Sequence, residues 1–378
     1  MKFLSLSMIM IFAFFCKNSQ SNHVLRFSNG LNPISFDVSK DSALNPVSKK
    51  PMESSKDCAS CHEQIYKNWE KSMHRQSFTN RIYQDSHKDE PLDWCLNCHA
   101  PLKQTSIVNH NSENNRYHAE EGVSCITCHV RNQKILTSKK MEGDSLAHTY
   151  DEVPVMKEGE FCGNCHQFNW PTRKSFIDPN STIVYTNIPM QNTLGEYKLS
   201  KLKKTRNCQS CHLFPNSVKS HTFPGGHDKK YLEESFEVTL ERISIDHFKL
   251  MIKTNGIAHA FPTGDLFRSM RIRILTPNEF LINEWILNKD FIPNKGNLNQ
   301  PPKILVADTS FPPPDGTGET IKEFHFQYSN NGTEFKFEMY MDYLNPTSHI
   351  QGSVPISESL LLFKKGKLPI PPVSADKG

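Results

Sequence analysis

Cys58-Ala59-Ser60-Cys61-His62 is the stretch on which the reading of this chain turns. The same Cys-x-x-Cys-His spacing returns at Cys95, Cys98 and His99, at Cys125, Cys128 and His129, at Cys162, Cys165 and His166, and at Cys208, Cys211 and His212. Ten of the eleven cysteines are used in this way, and only Cys16 is left over. The spacing is that of covalent c-type haem attachment. Two thiols one helical turn apart add to the two vinyl groups on one haem edge, and the histidine that follows lies under the iron as its proximal ligand. Zinc sites also use Cys pairs, but a tetrahedral site takes two pairs per metal and imposes no following His, so five pairs would leave one over. Disulfides carry no such rule either. Five covalently bound c-type haems are therefore expected.

Around those motifs the composition is unusual for a globular chain. Hydrophobic residues make up 37%, against about 45 to 50% in ordinary domains. The motifs crowd into the stretch from Asp57 to His227, leaving each haem about 35 residues of protein, so porphyrins are expected to touch and to fill much of the core. The 44 basic and 40 acidic residues give a net charge of +4 with no long basic run, which gives no support for nucleic-acid binding. Each haem adds about −1 when ferric and −2 when ferrous, counting its propionates, so the loaded protein should be acidic overall.

Residues 1–15 read as a signal peptide, with Lys2 as the charged region and Phe3 to Phe15 too short to span a bilayer. Cys16 sits where a lipoprotein signal places its acylated cysteine, and residues 16–56 then read as a lipid-anchored, flexible tether. Localisation outside the cytoplasm follows, in the periplasm or on the outer cell surface, held to a membrane surface without crossing it.

The pattern changes at Phe236. Phe236, Val238 and Leu240 alternate, as do Met270, Ile272 and Ile274, and Phe324, Phe326 and Tyr328. Phe324 to Ser329 and Phe335 to Leu344, separated by Asn330-Asn331-Gly332, suggest a hairpin. About seven strands fit between residues 235 and 365. The expected fold class is α+β: a mostly helical and irregular pentahaem domain over 57–230, an antiparallel β-sandwich over 235–365, and a tail over 366–378.

Five proximal histidines leave twelve others for the distal positions. Bis-His ligation is the expected mode, with Met its rival. His62 to His74 has helical spacing through Trp69 and Met73, and a helix that long rises about 18 Å, so His74 would serve a haem other than that of His62. His221 and His227 flank Gly225 and Gly226, which permit close approach to a flat cofactor. His118 and His148 are further candidates, and His259 lies in a turn-rich segment of the strand region from which it would either reach a haem or pack at the interface.

At these residues the chain resembles multihaem c-type cytochromes of the cytochrome c-554 family. The matching pieces are Cys58 to His62 followed by Trp69, Ser72 and His74, the run Gly122-Val123-Ser124 into Cys125 to His129, and Cys162 to His166. The resemblance implies a distal-ligand role for His74. The stretch from Cys208 through His221 to His227, and His259 to Asp265 with Arg268, look like bacterial relatives that append a β domain. Five motifs instead of four is a departure from the family pattern. The expected function is single-electron transfer between redox partner proteins or quinol-linked donors and an acceptor. The rival readings are a haem-iron reductase of a small nitrogen or sulfur oxyanion at a five-coordinate haem, and a binding module in which the β domain docks a partner.

Overall fold

The computed structural model describes residues 44–373 except 47–48, 51, 53, 90–91, 93–94, 102–118, 132, 141, 143–146, 179–182, 214–220, 317, 330–331 and 345. The expected signal peptide, Cys16, nearly all of the tether and His118 lie outside the described residues.

The first half is built from short helices that carry the motifs themselves. They span Ser55–Ala59, Leu96–His99, Cys125–His129, Gly159–His166 and Cys208–His212. Three begin with a capping box, in which Ser54, Ser124 or Asn207 accepts from a backbone N–H of the first turn and the residue three further on reaches back. Such boxes satisfy the orphan donors of helices too short to persist on their own. Five short strands lie between the helices: β1 (Val130–Arg131), β2 (Lys134–Thr137), β3 (Tyr150–Glu152), β4 (Gln167–Pro171) and β5 (Tyr185–Asn192). They form a three-stranded sheet β1-β2-β3 and a ribbon β4-β5.

The expected helix from His62 to His74 runs only over Glu63–Glu70. Beyond it the chain makes turns, where Ser72 accepts from the Arg75 N–H, and Ser77 Oγ donates to the His74 carbonyl and also bonds the His99 carbonyl. These side-chain bonds compete with helix continuation. His74 therefore stands on a clipped turn instead of a rigid helical strut. Gly122 holds that turn from the other side at φ 61°, and a Cβ there would lie 2.5 Å from the His74 carbonyl oxygen.

From Phe236 onward two antiparallel sheets face each other. One has the order β12-β7-β6, with β6 (Phe236–Arg242), β7 (His247–Thr254) and β12 (Ile321–Gln327). The other has the order β14-β13-β8-β9, with β8 (Ser269–Leu275), β9 (Leu281–Leu287), β13 (Glu334–Asp342) and β14 (Leu360–Pro369). The alternating residues meet between the sheets: Leu250, Ile252, Met270, Ile272, Ile274 and Phe335 are all fully buried. A separate ribbon, β10 (Lys289–Pro293) with β11 (Lys303–Asp308), was not anticipated. The last strand continues to Pro369, past the expected end of the sandwich at residue 365.

The expected hairpin does not form. β12 pairs with β7, whereas β13 pairs with β8 and β14. Both strands carry phenylalanines on one face, and both faces are needed for the same interior. Placed in opposite sheets, Phe326 and Phe335 meet ring to ring at 5.4 Å across the core; side by side in one sheet they would leave half of it open.

The two halves interlock. Helix Lys229–Glu234 sends Leu232 into the sandwich core, Arg173 and Lys174 donate backbone bonds to Gln300 and Leu298, and buried Glu196 accepts from Lys289 Nζ at 2.6 Å. Among the described residues no helix is long and apolar enough to cross a membrane.

Candidate functional site

The Cys and His side chains of all five motifs line one continuous cavity of about 2220 Å³. An ordinary ligand pocket holds about 300 to 1,000 Å³, so this space is of another order. His74, His148, His221, His227 and His259 line it too.

The rings of His74 and His166 lie with their centres 6.3 Å apart. His129 and His221 are also at 6.3 Å, and so are His212 and His259. An iron with an imidazole nitrogen about 2.0 Å away on either side, each ring centre about 1.15 Å behind its nitrogen, separates two such rings by about 6.3 Å. Three independent pairs at that one spacing fit a six-coordinate haem iron. In each pair one partner is a motif histidine and the other is one of the expected distal residues.

The ring nitrogens away from the pairs are held as ligation requires. The Nδ1 atoms of His129 and His212 lie 3.0 and 2.6 Å from the carbonyl oxygens of Leu136 and Pro224, and that of His259 lies 2.8 Å from the Ala260 carbonyl. His99 Nδ1 is 2.7 Å from the Ser77 carbonyl. A carbonyl can only accept, so each Nδ1 carries the proton and Nε2 keeps its lone pair for a metal. Burial keeps the rings neutral, with His74 and His221 pushed down to about 4 and His166 to about 3.

The cysteines show how the motifs adjoin. Cys58 is hydrogen-bonded to Cys125, which raises the Cys58 thiol, and Cys162 is likewise bonded to Cys208 and Cys165 to Cys98. Cys128 is pushed up to about 12, by burial first and then by nearby Cys165. The first motif thus lies against the third, the third against the fourth, and the fourth against both the second and the fifth. Among the described residues no cluster of three or more potential ligands gathers around a single metal position.

The segment after the fifth motif does more than supply ligands. Phe223 adopts φ 48°, a left-handed conformation costing a residue with a Cβ about 1 to 2 kcal/mol. Its ring is thereby wedged edge-on against His74 at 4.2 Å and His221 at 5.6 Å. Sequence reasoning singled out the flanking histidines and missed Phe223, whose positive φ leaves no trace in residue type.

His148 is within electrostatic reach of His62, and burial lowers it. His227 has no motif histidine in ring contact; it stacks on Tyr343 at 4.1 Å and faces Arg268. His99, like His62, has no imidazole in ring contact among the described residues: its ring stacks on Tyr83 at 4.0 Å, Tyr83 stacks on His87 at 5.3 Å, and His87 is within electrostatic reach of it. Tyr83 was likewise not foreseen.

The sequence model of the family described as Cytochrome c554 and c-prime matches residues 57–130. No curated protein matches. Among solved structures, a penta-haem cytochrome c552 from Thermochromatium tepidum superposes with a TM-score of 0.64 at 19% identity, covering 84% of this chain and 98% of that one. A β-glucuronidase from Bifidobacterium dentium (11% identity, 36% of this chain, 18% of that one, TM-score 0.18) and β-glucosidase 3B from Thermotoga neapolitana (14%, 36%, 16%, 0.15) match too weakly to carry an argument. The cytochrome likeness fits the geometry in fold, and the family match supports haem c as the cofactor, redox proteins as partners and electron transfer as the general activity.

Proposed function

We propose that this multihaem c-type cytochrome, similar to the c-554 family, binds five haems and passes single electrons through them between redox partners outside the cytoplasm. The observation that carries the reading is the three imidazole pairs at one spacing inside one cavity. Bound haem supplies one-electron chemistry at potentials that axial ligands, burial and nearby charge tune. The chain's own residues set those levers. Ten cysteines fix the cofactor edges, and motif 1 against 3, 3 against 4 and 4 against 5 make a continuous row. The carbonyls of Ser77, Leu136 and Pro224 raise the basicity of the proximal rings. His259, from the strand-rich half, closes the fifth position, so that half is part of the redox unit.

A reading confined to carriage leaves one feature aside. Motif 2 adjoins motif 4 as a side branch, and the ring stacked on its His99 is the phenol of Tyr83, which also stacks on His87. That favours a second reading, a haem with an exchangeable position at which a small molecule is reduced.

The mass of the denatured protein should exceed that of the polypeptide by five haems of about 0.6 kDa each, and a redox titration should take up five electrons. Four or fewer in fully matured protein removes one motif from the proposal. Sustained oxidation of a reduced dye by nitrite or hydroxylamine would replace pure carriage with the second reading. A lipid anchor on Cys16 belongs to the same proposal, and Cys16→Ala should then move the protein to the soluble fraction with its haems intact.

A further inference from the structure

The three imidazole pairs share a spacing but not an angle. His212 and His259 lie within 12° of parallel, whereas His74 and His166 are twisted by 46° and His129 and His221 by 44°. A ligand ring turns about its bond to a metal unless something outside that bond holds it. In the near-parallel pair both rings are held at Nδ1, by the carbonyls of Pro224 and Ala260. In each twisted pair the motif histidine is held: the Leu136 carbonyl lies 3.0 Å from Nδ1 of His129, and the Gln191 side-chain amide 3.3 Å from that of His166. Their partners are not. Nδ1 of His221 is buried without a hydrogen-bond partner among the described residues, and the ring of His74 has only ring contacts there, with His166 and Phe223.

Both unheld rings meet Phe223. Its ring stands edge-on to His74 at 4.2 Å and 60°, and to His221 at 5.6 Å and 88°. Edge-to-face contact is directional, because the positive rim of one ring seeks the negative face of the other. It can therefore stop an imidazole from turning where no hydrogen bond does. The backbone of Phe223 is at φ 48°, where glycine would be at ease and a residue with a Cβ is strained. The turn itself has no use for a large side chain, since what it gives the motif 5 histidine is the backbone carbonyl of Pro224. A bulky ring kept at a strained position points to a role for the ring.

We infer that Phe223 is a positioning residue that sets the ring planes of His74 and His221, giving the haems of motifs 3 and 4 twisted axial ligands while that of motif 5 keeps near-parallel ones. The inference rests on the bis-His reading proposed above. Its consequence is electronic. Parallel imidazoles donate π density into the same iron d orbital and split it from its partner; twisted imidazoles raise both, the splitting shrinks, and the largest g value of the ferric iron rises. Axial ligands are also a lever on haem potential, so one side chain tunes two neighbouring haems together.

The test is paramagnetic resonance of the oxidised, haem-loaded full chain, with the parent set against Phe223→Gly, Phe223→Leu and Phe223→Tyr. Phe223→Gly relieves the backbone and deletes the ring, so it separates the ring from the turn. The expected result is that the largest g values of two haems shift or broaden in Phe223→Gly, while the other signals and the haem count stay as in the parent. Phe223→Leu, which fills the volume without a flat edge, should behave like Phe223→Gly, and Phe223→Tyr should keep the parent spectrum. A redox titration should show the same two haems displaced in potential. A Phe223→Gly spectrum identical to the parent's overturns the inference and leaves Phe223 a turn residue. So does a shift confined to one haem, a change in every signal, or a new high-spin haem, which would mean that the ring keeps a ligand on its iron without setting its plane. A parent without low-spin signals is a different failure, that of the bis-His reading itself.

Discussion

In the strand-rich half, buried apolar side chains from both sheets, joined by Leu232 of the preceding helix, form one large cluster among the described residues. In the motif-bearing half the side-chain clusters are small, Leu96 with Ala100 and Ala119 in one, Leu136 with Val153 and Met156 in another, and the interior is the 2220 Å³ cavity. The same chain thus builds two kinds of core. One is made of side chains and is complete by itself; the other is a shell of motifs, caps and carbonyls whose filling is the cofactor. The difference accounts for the low hydrophobic fraction, because half of the fold delegates its apolar contacts to porphyrin.

The harshest way to break this contrast is to withhold haem. Protein made without haem attachment should lose amide-exchange protection over residues 55–227, while β7, β8 and β13 keep theirs. Equal protection in both halves would mean that the first half folds on side chains alone. Next in size is Phe335→Ala. This ring is fully buried and touches Phe248, Phe326 and Tyr328, so the loss should be about 3 to 5 kcal/mol of stability by denaturant unfolding, with the haem spectrum unmoved.

Glu196→Gln probes the seam. Glu196 is buried and accepts from Lys289 at 2.6 Å and from Thr263 at 2.5 Å. Weakening those charge-assisted bonds should cost about 1.5 to 3 kcal/mol and loosen the 255–268 segment that carries His259, seen as faster exchange there. Smallest is the exposed pair of Arg81 with Glu358 at 3.0 Å. Arg81→Ala should change stability by less than about 1 kcal/mol; a larger loss would mean that the seam relies on surface charge.

Legibility in the sequence followed the same divide. The haem motifs were readable because covalent chemistry fixes a local spacing, and the sandwich was readable because alternation at Phe236, Met270 and Phe324 is a local consequence of burying one face. Strand pairing was not. Asn330-Asn331-Gly332 has the residue types of a tight hairpin, and only the demand that Phe326 and Phe335 share an interior sends β12 and β13 to different sheets. Distal histidines could be collected but not assigned, since His74 with His166, His129 with His221 and His212 with His259 are brought together by turns far apart in the chain. Helical spacing from His62 to His74 misled because Ser72 and Ser77 offer the backbone other partners. Tyr83 and Phe223 gained their importance only from what the fold sets beside them.

The central claim is that imidazole pairs, one of them reaching across the two kinds of core, hold the irons. Paramagnetic resonance of oxidised His259→Ala, compared with the parent, tests it most directly. The residue lies in the strand-rich half, 47 positions beyond His212 in the sequence, and 6.3 Å from it ring to ring. The account predicts that one low-spin haem is lost and one high-spin haem gained, with the haem count unchanged. A spectrum identical to the parent's would contradict it.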